Sequence, residues 1–132
     1  MSGERVLVDT SVWVEYFRGD SPLVSDKVDR LLSEAEICVP KIVLAELLQG
    51  AKSNREILVI EDFLEAFLII DQGPDTWIKA GKLSHELKGR GKTIHLIDCY
   101  IAMIADESRC AVFSLDAHFQ EIRKVLPLRL YR

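Results

Sequence analysis

Four acids in this sequence stand where they could do chemistry. Asp9 ends the apolar run Val6-Leu7-Val8 and is followed by two hydroxyls, Thr10 and Ser11. Asp116 comes just after a second short apolar run, Ala111-Val112-Phe113, with Ser114 between. Asp98 heads the apolar segment Cys99 to Ala105, and Glu46 lies between Ala45 and Leu47 in a third apolar stretch. Short runs without polar alternation read as strands covered on both faces, so Asp9 and Asp116 fall at strand carboxyl ends, where open α/β sheets bind ligands. Glu46 belongs to a helix whose apolar side packs on that sheet, which leaves its carboxylate near the core boundary. The ordinary alternative is that Asp9 or Thr10, and likewise Asp116, caps the helix that follows.

Four carboxylates gathered in a poorly hydrated cleft repel one another unless positive charge joins them. A divalent cation resolves the conflict, and oxygen donors without cysteine or histidine select Mg2+ or Mn2+. Such a centre suits phosphodiester hydrolysis, because the ion polarises the phosphoryl group, orients and acidifies a water, and stabilises the leaving oxygen.

The rest of the chain must position these acids. A helix over 12–18 stops at Gly19, and a second begins at Pro22 behind Ser21 or Asp20 as cap. Ile37-Cys38-Val39 reads as a strand, and Pro40 opens a helix that closes at Gly50 and carries Glu46. Ser53 or Asn54 caps a helix running through Phe67, and Leu68-Ile69-Ile70 is the third strand. From Asp75 to about Arg90 an amphipathic helix turns Trp77, Ile78, Leu83 and Leu87 inward and its lysines outward. The fourth strand is 111–114, a short helix follows around Phe119, and Leu128 to Tyr131 makes the last strand. Strands alternating with helices predict an α/β fold, with a mostly parallel sheet of about five strands and helices on both faces, in one domain over 1–132.

Composition narrows the function classes. The hydrophobic fraction of 48% and the charged fraction of 29% suit a globular chain, and no apolar run approaches the roughly 20 residues needed to cross a bilayer. With no basic-then-apolar leader at the N-terminus, a cytoplasmic protein without a membrane partner is expected. Cys38, Cys99 and Cys110 are odd in number and lack paired spacing, so they read as buried free thiols. A net charge of −4 argues against non-specific nucleic-acid binding by the whole surface. Between Lys79 and His95, however, five basic residues face the single acid Glu86. Trp13 and Phe17, at i, i+4 spacing, suit core or dimer packing better than base stacking, and His118 reads as a loop or cap residue.

The stretches Val6 to Trp13, Pro40 to Leu47, Ile97 to Ala102 and Val112 to Phe119, in this order, resemble the PIN domain, and the chain's size is similar to that of VapC-type ribonuclease toxins. The resemblance covers essentially the whole chain. It implies a three-layer α/β/α sandwich in which Asp9, Glu46, Asp98 and Asp116 surround one or two Mg2+ or Mn2+ ions for endonucleolytic cleavage of RNA. Supporting hydroxyls would come from Thr10, Ser11 or Ser114. Ser114 stands where the family often has threonine, and His118 where another acid is frequent. Homodimerisation and a small cognate antitoxin that inserts a basic side chain among the acids are further implications. An acidic centre also needs cations at its rim to hold RNA phosphates, and Lys88, Arg90 and Lys92, in the approach to Asp98, are the candidates. Two other functions fit the same residues: a non-catalytic metal- or partner-binding PIN-like module, and a nuclease directed at DNA.

Overall fold

The computed structural model describes residues 3–70 and 73–132. Four strands, β1 (Arg5–Val8), β2 (Glu36–Pro40), β3 (Leu68–Ile70) and β4 (Ala111–Phe113), form a wholly parallel sheet in the order β3-β2-β1-β4. Val6 pairs with Ile37 on one side and Ala111 on the other, and Leu7 with Cys38 and Val112. Val6, Leu7 and Val8 are all fully buried, so β1 is covered on both faces, as its unbroken apolar run predicts. Two helical groups supply that cover. One comprises α1 (Thr10–Arg18), α2 (Pro22–Glu34), α3 (Lys41–Gln49) and α4 (Asn54–Leu64); the other comprises α5 (Thr76–Gly89), α6 (Leu96–Ser108) and α7 (His118–Ile122).

The chain steps outward from β1 to β2 to β3 and then returns to β4 on the opposite side of β1. The crevice between the carboxyl ends of β1 and β4 is therefore the topological switch point, the position at which such sheets bind ligands. Local signals set the helices around it. Gly19 closes α1 in the left-handed region at φ 73°, Ser21 accepts the Val24 N–H at the start of α2, and Ser53 accepts the Glu56 N–H at the start of α4. The central turns of α6 are apolar on every face, with seven consecutive residues from Cys99 to Ala105 buried within the core, whereas Leu96 and Asp106 near its ends are exposed. Trp13 is fully buried at the centre of an aromatic cluster with Tyr16, Phe17, Phe63 and Phe67, which assigns it to the core. All three cysteines are buried and free. Among the described residues no helix is long and apolar enough to cross a membrane.

Three expectations need correction. Among the described residues the sheet has four strands, not five: 128–131 makes one parallel bridge, Leu130 to Val112, with the Val112 N–H donating to Arg129 O and the Tyr131 N–H to Val112 O. β4 is only three residues long and turns into the crevice at Ser114, so it offers too little ladder for a further strand. On α5 the inward face is Thr76, Ala80, Leu83 and Leu87, whereas Trp77 and Ile78 are 44% and 58% exposed. A buried threonine shifts the helix phase by one residue; it is accommodated because its hydroxyl donates to Glu107 at 2.7 Å. Trp77 lies flat on Tyr100 instead, with ring centroids 3.5 Å apart. α4 ends at Leu64, and Phe67 packs on the core from the segment beyond it.

Candidate active site

Asp9 occupies the N-cap position of α1, yet its carboxylate accepts no capping hydrogen bond from that helix. It is 6% exposed, and its Oδ2 accepts two hydroxyl hydrogen bonds, from Ser11 Oγ at 3.0 Å and Ser114 Oγ at 2.8 Å. Those hydroxyls are themselves fixed by backbone donors: Leu115 N–H to Ser11 Oγ at 3.1 Å and Asp116 N–H to Ser114 Oγ at 3.0 Å. The end of β1, the start of α1 and the turn after β4 are thus tied together around one carboxylate. Between the two readings left open by the sequence, this geometry decides against capping.

Glu46, half-buried on α3, enters the same neighbourhood through Thr10, whose Oγ1 donates to its Oε1 at 2.8 Å. The two hydroxyls after Asp9 therefore divide their work, Thr10 holding Glu46 and Ser11 holding Asp9. Asp98 stands in the first turn of α6, where the helix dipole favours an anion. Burial pushes its carboxyl above the usual range; the hydrogen bond from His118 opposes this, while the charges of Asp116 and Asp9 add to it. Asp98 thus feels both other aspartates, the mutual repulsion expected of a gathered set of acids.

Asp116 Oδ1 accepts the His118 N–H at 3.0 Å, so the capping alternative holds in part for this residue. The turn from Asp116 to His118 also aims the imidazole at the acids. His118 Nδ1 lies 2.7 Å from Asp98 Oδ2 and 3.2 Å from Asp116 Oδ1. The hydrogen bond to Asp98 raises the imidazole's pKa above its ordinary value; burial opposes the shift, and the charges of Asp116 and Asp98 reinforce it. The reading of His118 as a loop or cap residue is therefore incomplete: it starts α7, and its ring belongs to the acid cluster. The spacing Asp116-x-His118 is the one sequence signal that marks this.

Ligand atoms of Asp98, Asp116 and His118 lie within 4.8 Å of one another. Two carboxylate oxygens and one imidazole nitrogen, with the charge of Asp9 also felt at Asp98, form a set of electron-pair donors whose complement is a divalent cation. Asp9 and Glu46 are outside that trio; the charge of Asp9 still acts on Asp98, while Glu46 is tied to the site through Thr10.

The basic candidates are more occupied than the sequence suggests. Arg90 pairs with Glu86 at 3.3 Å, and Lys92 reaches Glu121 on α7 at 3.5 Å; Lys88 is exposed. A different set lies beside Glu46. A groove of about 500 Å³ between α1, α3 and α4 has a floor that includes Val14, Leu47 and Ile60, and a rim bearing Arg18, Lys52 and Arg55. Among the described residues that line it, Glu56 is the one acid apart from Glu46 itself. Lys52 and Arg55 are three residues apart around the start of α4, but Arg18 comes from the end of α1, and nothing in the linear sequence joins it to them.

Residues 6–125 match the PIN domain family model. The VapC ribonuclease Mb1587 of Mycobacterium bovis is 32% identical over 129 residues, which cover 94% of this chain and 96% of that protein. Ribonuclease VapC2 of Haemophilus influenzae is 35% identical over 98 residues, covering 71% of this chain and 73% of its own. Among solved structures, VapBC2 from Rickettsia felis, bound to a DNA fragment from its promoter, superposes with a TM-score of 0.79 at 24% identity and covers 96% of this chain and 97% of that one. Nearly the whole length is thus accounted for by one family in sequence and by one fold in space, and the chain belongs to the PIN domain family, alongside its VapC members.

Proposed function

We propose that this chain is a metal-dependent endoribonuclease, the toxin of a toxin–antitoxin pair, and that residues 1–132 act as one domain. The observation that carries the reading is the meeting of Asp9, Asp98 and Asp116 at the switch point of the sheet, with hydroxyls holding the first of them in a fixed orientation. The ribonuclease names of relatives that align over 94% of the chain favour RNA as the substrate.

Asp98 and Asp116, together with Asp9 and Glu46, would hold the ion. A bound Mg2+ or Mn2+ supplies Lewis-acid polarisation of the scissile phosphoryl group and a water of lowered pKa. The protein's own part is preorganisation. Ser11 and Ser114 keep one face of Asp9 turned inward and Thr10 restrains Glu46, so the acids need little rearrangement when substrate arrives. Lys88, Arg90 and Lys92 on one approach, and Arg18, Lys52 and Arg55 on the other, offset the repulsion between the acids and an incoming polyanion.

An antitoxin that presents arginine or lysine to Asp98 and Asp116 blocks both ion and substrate, and the apolar-floored groove beside Glu46 offers its chain a seat. Action in the cytoplasm as a homodimer completes the proposal. Its test is to incubate the purified protein with total cellular RNA, and in parallel with DNA, under Mg2+, Mn2+ or EDTA, with Asp9→Asn alongside, and to sequence the new ends. Discrete, metal-dependent RNA cuts absent from the variant are expected. Cuts in DNA alone make it a DNA nuclease, and no cuts with a folded, metal-binding protein make it a binding module.

A further inference from the structure

We propose that His118 Nδ1 is a ligand of the metal ion and biases this site towards Mn2+ over Mg2+. The inference rests on the metal-dependent reading above and extends it to the identity of the ion. Three features of the structure carry it. First, Nδ1 approaches two carboxylate oxygens at once, Asp98 Oδ2 at 2.7 Å and Asp116 Oδ1 at 3.2 Å. A histidine that served only to brace Asp98 has one hydrogen-bonding function at Nδ1 and no need of the second oxygen. Second, adjacent ligand atoms of an octahedral ion bound at about 2.1 Å stand roughly 3 Å apart, and both separations match that edge. Third, the hydrogen bond from the His118 backbone N–H to Asp116 Oδ1 holds the two residues in one tight turn, which keeps the histidine side chain and the Asp116 carboxylate on the same side of the crevice.

The preference follows from the donor. Mg2+ is hard, takes oxygen and dehydrates reluctantly; Mn2+ also takes carboxylate and water, but as a transition ion it accepts an imidazole nitrogen more readily than Mg2+ does. A carboxylate in place of His118 adds a hard, charged oxygen and favours Mg2+; the neutral nitrogen lowers the negative charge of the site and favours Mn2+.

The test uses the full chain without RNA, so that it stands apart from any assay of cleavage. Mn2+ and Mg2+ affinities are measured by calorimetry for the wild type, His118→Asp and His118→Gln, with thermal unfolding to establish that each is folded. Electron spin echo measurements on the Mn2+-loaded protein report directly bound nitrogen. The expected result is a nitrogen coupling in the wild type that is lost in both variants, and a Mn2+ to Mg2+ affinity ratio that falls about tenfold or more in His118→Asp. The protein's two other histidines, His85 and His95, are left in place, so a coupling that persists in the variants comes from them and overturns the assignment. An unchanged affinity ratio also overturns it. Nitrogen-bound Mn2+ without RNA cleavage keeps this inference and defeats the ribonuclease reading, whereas no binding of either ion defeats both.

Discussion

If Ser11 and Ser114 together hold Asp9, their removal must be non-additive. Each hydroxyl donates to the same oxygen, Asp9 Oδ2, at 3.0 Å and 2.8 Å, on a side chain that is 6% exposed. A hydrogen bond to a charged group is worth about 1.5–3 kcal/mol, but in either single alanine variant the other hydroxyl still serves the oxygen, which puts the loss at the low end, about 1.5 kcal/mol. Ser11→Ala recovers up to about 0.5 kcal/mol of helix propensity in the first turn of α1, so it is the milder of the two. In the double variant Oδ2 loses both donors while it stays largely out of water, and the loss should exceed the sum of the singles by about 1 kcal/mol or more. For a domain of this length each kcal/mol moves the midpoint by about 3–5 °C, so the single variants fall by roughly 5 °C and the double by well over 10 °C. Thermal and urea unfolding in EDTA, at neutral pH, measure all four corners of the cycle. Strictly additive losses, or a double variant within about 0.5 kcal/mol of the wild type, refute the shared brace.

Other predictions follow from the same geometry. Asp98→Asn should keep the fold, abolish cleavage and raise the midpoint in EDTA. Burial, reinforced by neighbouring charges, raises the Asp98 carboxyl, so its contribution to stability is full below the ordinary carboxylate pKa and is lost as pH rises through the raised one. The gain should therefore be larger at pH 7 than at pH 4, and equal gains at both would show that the charge is not responsible. Glu107 shifts the other way: burial pushes its carboxyl up, but the Thr76 hydroxyl and Lys79 outweigh burial and hold it below the usual range. Its contribution is thus present above the ordinary glutamate pKa and lost on acidification, and Thr76→Val should cost about 1 kcal/mol at pH 7 and less at pH 3, read by urea unfolding. For RNA binding, replacing Arg18, Lys52 and Arg55 by Ala should flatten the salt dependence more than replacing Lys88, Arg90 and Lys92, because Arg90 and Lys92 already face Glu86 and Glu121. Each lost phosphate contact lowers the log–log slope by about 0.7 on a single strand, and filter binding with the Asp98→Asn protein reads it. Arg109 ends α6 in the left-handed region at φ 58°, so Arg109→Gly should stabilise by about 1 kcal/mol; a lower midpoint would mean that its side chain does more than end the helix.

The parts of this molecule legible in sequence are those in which local chemistry and tertiary need agree. Val6-Leu7-Val8 reads as a strand buried on both faces because nothing polar interrupts it, and Ser21-Pro22 and Ser53 cap their helices with contacts that span only three residues. Asp9 was ambiguous because an acid at a strand end and an acid at a helix start are the same residue. The ambiguity ends only when Ser114, 105 positions away, reaches its Oδ2. Thr76 was unreadable for a related reason: a polar residue on an inward face makes sense only beside Glu107, 31 residues later. The last segment looked like a strand because its residues suit one, yet pairing requires a partner of adequate length, and β4 stops at Phe113. His118 and the groove cations belong to the same class, since their significance lies in what the fold sets opposite them.

The burial of α6 has a consequence for how long the folded chain survives. The central turns of α6, from Cys99 to Ala105, are sealed on every side and cannot open by themselves, so their amides should exchange with solvent only when the whole domain unfolds. Asp98 is anchored in the first turn of that helix, and whatever binds there is therefore linked to the global unfolding equilibrium rather than to a local breathing motion. Ligation at 100 times the dissociation constant adds about 2.7 kcal/mol to that equilibrium, which slows exchange in α6 and degradation of the chain together. Occupancy of the acidic crevice and resistance to cellular proteases then become a single property, and the unoccupied chain is by the same physics the short-lived form.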